Sequence, residues 1–262
     1  MTSIGARRRT TTSAVGSLAL GGLVYGVFFL VLLYFVGFLA DVVVPRSVDG
    51  GGPEASWGTA VAVDVLLALL FLVPHSVLAR PAVKAVLARA VPPHLERSAY
   101  VLIATAGLAL LFWQWRPIPH VVWETEGLAA AILWGTHVLG WVVVLLSTFL
   151  INHFDLFGLR QVYLHARGLE YQKMGFRTPL LYRVVRHPMM LGFFLVFWGA
   201  PRMTAGHLLF ALLFSGYILL GVRLEERDLA ASLAGYDDYA RRVPRLVPGV
   251  GSRPGRVLGR HA

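Results

Sequence analysis

The stretch VVRHPMMLGFFLVFWGAPRMTAG, residues 184–206, decides how the chain folds. An arginine, a histidine and a proline stand in a row, and an apolar run follows at once. That run breaks at residues 200–206, where a proline and small residues interrupt it, and then resumes to Val222. The arm 189–199 is too short to cross a bilayer at about 1.5 Å per helical residue. The two arms therefore read as a tight helical hairpin with Arg202 near its tip. The short arm either borrows its first turns from residues 179–186 or stays within part of the bilayer depth.

The rest of the chain sets this hairpin in a membrane. Of 262 residues, 56% are hydrophobic and 15% charged, and the mean hydropathy is +0.65, too apolar for a soluble domain. Four further apolar runs precede the hairpin, at residues 15–44, 57–78, 99–115 and 128–151. The first follows Arg7, Arg8 and Arg9 but is too long for a signal peptide and reads as an uncleaved span. Loops of opposite character alternate. Residues 46–56 and 116–127 carry acidic groups, whereas residues 80–97 and 152–187 are rich in arginine. The positive-inside rule puts both termini and both basic loops in the cytoplasm of a bacterial cell. The expected fold is all-α, a single polytopic integral membrane domain. About four spanning helices occupy residues 15–151. A catalytic region with the hairpin follows at 152–248, and a basic, disordered tail at 249–262.

The formal net charge of +10 suits cytoplasmic loops against an anionic lipid surface. Nucleic acid is not an expected partner, because the arginines flank apolar spans and no nucleic-acid motif accompanies them. With no cysteine there is no disulfide, thiolate metal site or cysteine nucleophile. The nine histidines are scattered without ligand spacing, so no metal is expected. No G-x-S-x-G elbow points to a serine hydrolase.

The polar triplet Arg186-His187-Pro188 sits where a cytoplasmic loop becomes a membrane helix. Proline suits a first helical turn, and the exposed N–H groups of that turn attract an anion. Arg186 and His187 add donors for a carboxylate or phosphate. The simpler reading is a pair of interfacial anchors. After the hairpin, Glu225 and Glu226 leave the last span on the basic side, against the anchor logic. A hairpin returns them to Arg186 and His187. Donors and acceptors at one place suit a zwitterionic or ribose-bearing ligand, and equally a salt bridge that closes the hairpin.

The order RHPMMLG, apolar hairpin, LEERDL, GYDDYARRVPRLVP resembles the isoprenylcysteine carboxyl methyltransferase and phospholipid methyltransferase superfamily over residues 176–248. FLVPHSVLARP and STFLINHFDLFGLRQVYLHARG are similar to a narrower branch, the bacterial methanethiol S-methyltransferases, which lie near NnrU-type membrane proteins. The resemblance implies S-adenosyl-L-methionine as methyl donor and methylation of methanethiol to dimethyl sulfide. It implies cofactor binding by Tyr182, His187 and Pro188 with Arg186 adjacent, by Met174, Phe176 and Arg177 before them, and by Glu225 and Glu226. Met190 is a further implied cofactor contact, and it stands where carboxyl methyltransferases often carry a tyrosine, so that hydroxyl is absent or replaced. Arg223 is implied on the substrate side. A lipid or a prenylated-cysteine carboxylate is the alternative acceptor, and a non-enzymatic NnrU-like membrane factor the alternative class.

Methyl transfer to a thiol needs the thiolate, aligned behind the methyl group. The polar stretch NHFDLFGLRQ after the fourth run supplies the expected chemistry. His153 is the candidate base and Arg160 or Arg223 the thiolate stabiliser, with Asp155 a further catalytic candidate in the same stretch. Asn152 and Gln161 are candidate substrate contacts. The competing reading is an interfacial cap in which Asp155 and Arg160 pair with each other. His75, after Pro74 at the inner end of the second run, is a further substrate-side candidate, although a lone histidine there is more often a structural hydrogen-bonder.

Overall fold

The computed structural model describes residues 11–172, 175, 177–233 and 235–250. Met174, Phe176, the arginines at positions 7–9 and most of the expected tail lie outside them. The described chain is mostly helical, with one small two-stranded ribbon. Its elements are α1 (Thr11–Ala40), α2 (Trp57–Leu78), α3 (Pro81–Ala90), α4 (Glu96–Gln114), β1 (Val121–Glu124), α5 (Gly127–Ile151), α6 (His153–Leu156) and α7 (Leu159–Ala166). A 3-10 turn (Leu180–Arg183) follows, then α8 (Pro188–Trp198), β2 (Arg202–Thr204), α9 (Ala205–Ser232) and α10 (Tyr236–Arg242).

Among the described residues, α1, α2, α4, α5 and α9 are long and apolar enough to cross a membrane, and α8 is a shorter apolar helix. This is the expected polytopic all-α fold, with four spans ahead of a carboxyl-terminal hairpin. The first apolar run extends to Val44, but α1 ends at Ala40. There the chain folds back over Gly37, where an added Cβ would meet the Val42 carbonyl at 2.8 Å.

The hairpin is asymmetric. α8 has 11 residues, about 16 Å of helix, roughly half the hydrocarbon thickness. It takes no turns from residues 179–186, which form the 3-10 turn and an irregular link, so the short arm is α8 alone. The break at residues 199–204 carries the chain to the acidic end of the bundle. Non-helical backbone at such depth must satisfy its polar groups inside the protein. Here β2 pairs antiparallel with β1, matching Trp123 to Met203 and Glu124 to Arg202. Ala205 and Gly206 then donate to the carbonyls of His120 and Ile118. Arg202 does stand at the hairpin tip, 3.7 Å from Glu124.

Two glycines hold α8 against α5. A Cβ on Gly140 would lie 2.7 Å from the Gly192 carbonyl, and one on Gly192 would lie 2.8 Å from the Gly140 carbonyl. Without side chains the two backbones meet directly, the close approach that membrane helices use in place of a hydrophobic drive. His137 of α5 closes the upper part of this seam. Trp141 donates to its Nε2 at 3.1 Å, which leaves Nδ1–H for the Val196 carbonyl at 3.1 Å, near the end of α8. Phe35, Phe112, Trp115, Phe197 and Phe210 fill the centre of the bundle.

Candidate active site

The basic end of the bundle gathers the residues that the triplet and the acidic pair led us to expect. Proline 188 opens α8, and His187 is its N-cap residue without making a side-chain cap bond. The backbone ahead of it is pinned, because Arg186 N–H donates to the Pro244 carbonyl and His187 N–H to the Arg245 carbonyl. The segment after α10 therefore lies alongside the triplet like a paired strand.

Glu226 is the centre of this arrangement. It is 9% exposed, and both its oxygens accept from cationic groups. Arg186 reaches Oε1 through Nε at 2.8 Å and Nη2 at 2.7 Å, and His187 Nε2 lies 3.1 Å from the same oxygen. Arg245 reaches Oε2 through Nε at 2.7 Å and Nη2 at 2.6 Å. The remaining Arg186 nitrogen donates to the carbonyls of Ala240 and Val243 at 2.5 and 2.7 Å, closing the end of α10. All three guanidinium nitrogens of Arg186 are thus taken up by protein acceptors. Arg186 and Glu226 form the salt bridge that closes the hairpin.

Glu225 differs. Its side chain is 53% exposed, and His187 Nδ1 lies 3.7 Å away. His187 therefore stands between one buried and one open carboxylate. Tyr182 is half-buried nearby, and its carbonyl accepts from the Tyr239 hydroxyl at 2.6 Å. Burial, helped by Glu225 and Tyr239, raises the Tyr182 phenol above its ordinary value. Burial likewise pushes Tyr236 and Tyr239 up to about 12, so these phenols stay neutral donors near neutral pH. Arg177 is exposed on the loop before the 3-10 turn, and Met190 packs into the central apolar cluster. Arg245, Tyr236 and Tyr239 were not singled out from sequence. All lie within GYDDYARRVPRLVP, and the arginine between two prolines was the available signal for Arg245.

The NHFDLFGLRQ stretch forms a separate cluster. His153 is buried, and its ring stacks on Phe149 at 4.3 Å. The Thr148 hydroxyl donates to the Leu145 carbonyl at 2.7 Å, so its oxygen accepts from His153 Nδ1–H at 2.9 Å. Nε2 then accepts from the Tyr25 hydroxyl at 2.7 Å. Burial lowers the His153 pKa, which keeps the ring neutral. Both ring nitrogens are engaged, so this geometry gives His153 a structural place and offers no open lone pair for a thiol proton. Asp155 accepts from Arg160 at 3.2 Å and from Tyr171 at 3.1 Å, the mutual pairing that the interfacial-cap reading foresaw.

Asn152 caps α6 by accepting from Asp155 N–H, and Gln161 donates to the Asp155 carbonyl. Gly158, at φ +89, lets the turn press against Ser98, where an added Cβ would meet the Ser98 amide at 3.0 Å. Arg97 donates to the Leu156 carbonyl at 2.7 Å. The stretch is thus a buttress under the start of α4. Asn152 and Arg160, with Leu18, Phe154, Leu159 and Tyr163, also line a mostly apolar cavity of about 410 Å³. Arg223 is exposed, on the side of α9 away from Phe214 and Ile218, and joins neither cluster.

His75 stands between α2, α4 and α9. Tyr100 lies beside it, and its neighbour Ser76 donates to Tyr217 at 2.9 Å. Farther along the same contact, Arg80 pairs with Asp228 at 2.8 Å.

Comparison with known proteins places the chain. The NnrU protein family model matches residues 65–228. Methanethiol S-methyltransferase 2 of Bradyrhizobium diazoefficiens is 54% identical over 86% of this chain and 86% of its own length. The methanethiol S-methyltransferase of Mycobacterium tuberculosis is 53% identical over 87% of this chain and 94% of its own. Nurim of Mus musculus is a more distant relative, 32% identical over 69% of this chain and 76% of its own. No solved structure matches. The chain belongs to the NnrU family, and within it to the family of the methanethiol S-methyltransferases.

Proposed function

We propose that this protein methylates methanethiol to dimethyl sulfide with S-adenosyl-L-methionine, at the cytoplasmic face of the membrane. One observation carries the reading: the hairpin returns Glu225 and Glu226 to His187, in a chain with relatives at 54% and 53% identity that are named methanethiol S-methyltransferases. The basic end of the bundle is the cytoplasmic end, because the arginine-rich loops lie there.

The residues present fit the donor. Its amino-acid part is a zwitterion and its ribose carries hydroxyls. Glu225 is an open acceptor for an ammonium or a hydroxyl. The uncapped first turn of α8 offers N–H groups to a carboxylate. Tyr182 and Arg177 adjoin that turn on the chain leading into it. When bound, the donor supplies an activated methyl group on a sulfonium. The buried Arg186–Glu226–Arg245 cluster keeps His187 and Glu225 in place, which serves a displacement whose rate rests mainly on alignment. Met190 packs apolar where a hydroxyl would suit a carboxylate acceptor, in keeping with a small apolar thiol.

The test uses detergent-solubilised protein. S-adenosylhomocysteine should bind by calorimetry, and methanethiol with S-adenosylmethionine should give dimethyl sulfide by headspace gas chromatography. Turnover of a prenylated cysteine without turnover of methanethiol would refute the small-thiol reading.

A further inference from the structure

We infer that His75 is the base that takes the thiol proton, in the aromatic cluster where α2, α4 and α9 meet. This deepens the proposed methyl transfer and rests on it.

The first ground is the state of the imidazole. The Tyr100 hydroxyl lies 3.2 Å from Nδ1, 3.2 Å from Nε2 and 3.2 Å from the His75 carbonyl. Equal distances to both nitrogens put the oxygen off both in-plane nitrogen axes. The single hydroxyl proton belongs to the carbonyl, because that group lies in the last turn of α2, where helical carbonyls lack amide partners. Among the described residues no other group is hydrogen-bonded to the His75 ring. Its in-plane lone pair is therefore available, unlike that of His153, which holds the Tyr25 hydroxyl.

The second ground is the lining. Phe71 and Tyr217 place rings 5.4 and 6.4 Å from the imidazole, and Phe71 stacks on Phe214. His75, Tyr100 and Tyr217 are all half-buried rather than sealed. A methyl thiol has no hydrogen-bonding code to read, so a site for it needs apolar and aromatic walls that favour sulfur, with a base at one point.

The third ground is position. The Ser76–Tyr217 and Arg80–Asp228 bonds tie the basic end of α2 to α9 along the turns that lead to Glu225. The cluster thus meets the same helix that carries the acidic pair, about two turns before Glu225. At neutral pH an alkyl thiol is mostly protonated, and only its thiolate is a strong nucleophile. The S–H bond breaks and its proton passes to the His75 ring nitrogen. The sulfur electron pair forms the new S–CH3 bond as the donor's C–S bond breaks and that pair stays on the donor's sulfur. The imidazolium then returns its proton to solvent.

The experiment compares wild type with His75→Gln and His75→Asn in two assays, dimethyl sulfide formation across pH and calorimetric binding of S-adenosylhomocysteine. The groups facing His75 are Tyr100 and Arg97 from α4 and Tyr217 from α9, with Arg80 and Asp228 beyond. The variants should bind S-adenosylhomocysteine within about threefold of wild type. They should lose roughly 10²–10⁴-fold in kcat/KM near neutral pH, the usual worth of a positioned base, and recover as pH nears the thiol's own pKa. Activity within tenfold of wild type with an unchanged pH profile overturns the inference, as does loss of S-adenosylhomocysteine binding in both variants. The wild type alone also decides. A rate that simply follows ionisation of the free thiol, with no plateau below the thiol's pKa, shows that no base is used. If wild type forms no dimethyl sulfide at all, the underlying methyl-transfer reading falls and takes this one with it.

Discussion

Adjacent glutamates on one helix should fail in opposite ways. In Glu226→Gln the change is made where the carboxylate is 9% exposed and accepts from Arg186, whose side chain is also 9% exposed. Removing one partner of a buried pair leaves an uncompensated charge and costs about 3–5 kcal/mol. Arg245 is 47% exposed, so its share is screened and adds at most about 1 kcal/mol. A loss of about 3–6 kcal/mol corresponds to a fall in Tm of roughly 6–24 °C for a chain of this size. In Glu225→Gln the carboxylate is 53% exposed with its nearest cation at 3.7 Å, and the Tm should move by only a degree or two. Its cost should appear in ligand binding instead. One charge-assisted hydrogen bond is worth about 1.5–3 kcal/mol, or roughly 10–150-fold in Kd. The assay is differential scanning fluorimetry of the solubilised variants beside calorimetry with S-adenosylhomocysteine. A Glu225→Gln protein that melts as early as Glu226→Gln, or that binds with wild-type Kd, would refute the division of labour.

Two further perturbations test the scaffold. Gly192→Ala places a Cβ about 2.8–2.9 Å from the Gly140 carbonyl and the Val144 amide, which are backbone atoms that cannot swing aside. It should lower stability by about 1–3 kcal/mol, read as loss of folded monomer after detergent extraction, whereas Gly135→Ala, with open space around it, should extract normally. His153 has its pKa lowered by burial, so the unfolded chain binds its proton more readily than the folded one. Stability should be at its full value above the ordinary histidine pKa of about 6.5 and fall as pH drops below it. His153→Gln should flatten that part of a Tm-against-pH curve, and an unchanged slope would place the acid sensitivity elsewhere.

The hydropathy of the chain was enough to locate four of the five long spans to within about four residues, whereas α9 runs on to Ser232, ten residues past the apolar run that ends at Val222. Hydropathy is a local property, and a run of about 20 apolar residues in lipid has little choice but helix. The alternation of basic and acidic loops likewise showed which helix ends share a side. The return of Glu225 and Glu226 to Arg186 and His187 was also legible, because a hairpin with a break at residues 200–206 leaves few other destinations.

What tertiary structure decided was the partner of each polar group. Arg186 and Arg245 look alike in sequence, yet one is fully engaged and buried while the other is half exposed. Glu225 and Glu226 are neighbours, but they point in directions about 100° apart around α9, so only one meets the closing segment. The same holds for the two histidines. His153 lies in the more polar stretch and drew attention first, but Thr148 and Tyr25 reach it across helix ends and occupy both its nitrogens. His75 sits among apolar residues in sequence, and only the convergence of α2, α4 and α9 surrounds it with Tyr100 and Tyr217. The β1–β2 ribbon was invisible for a similar reason: two short segments some 80 residues apart pair because the hairpin tip must satisfy its backbone at depth. Apolar run length is encoded residue by residue, whereas a hydrogen-bond partner depends on which faces of which helices are brought together, and that is set by packing across the whole bundle.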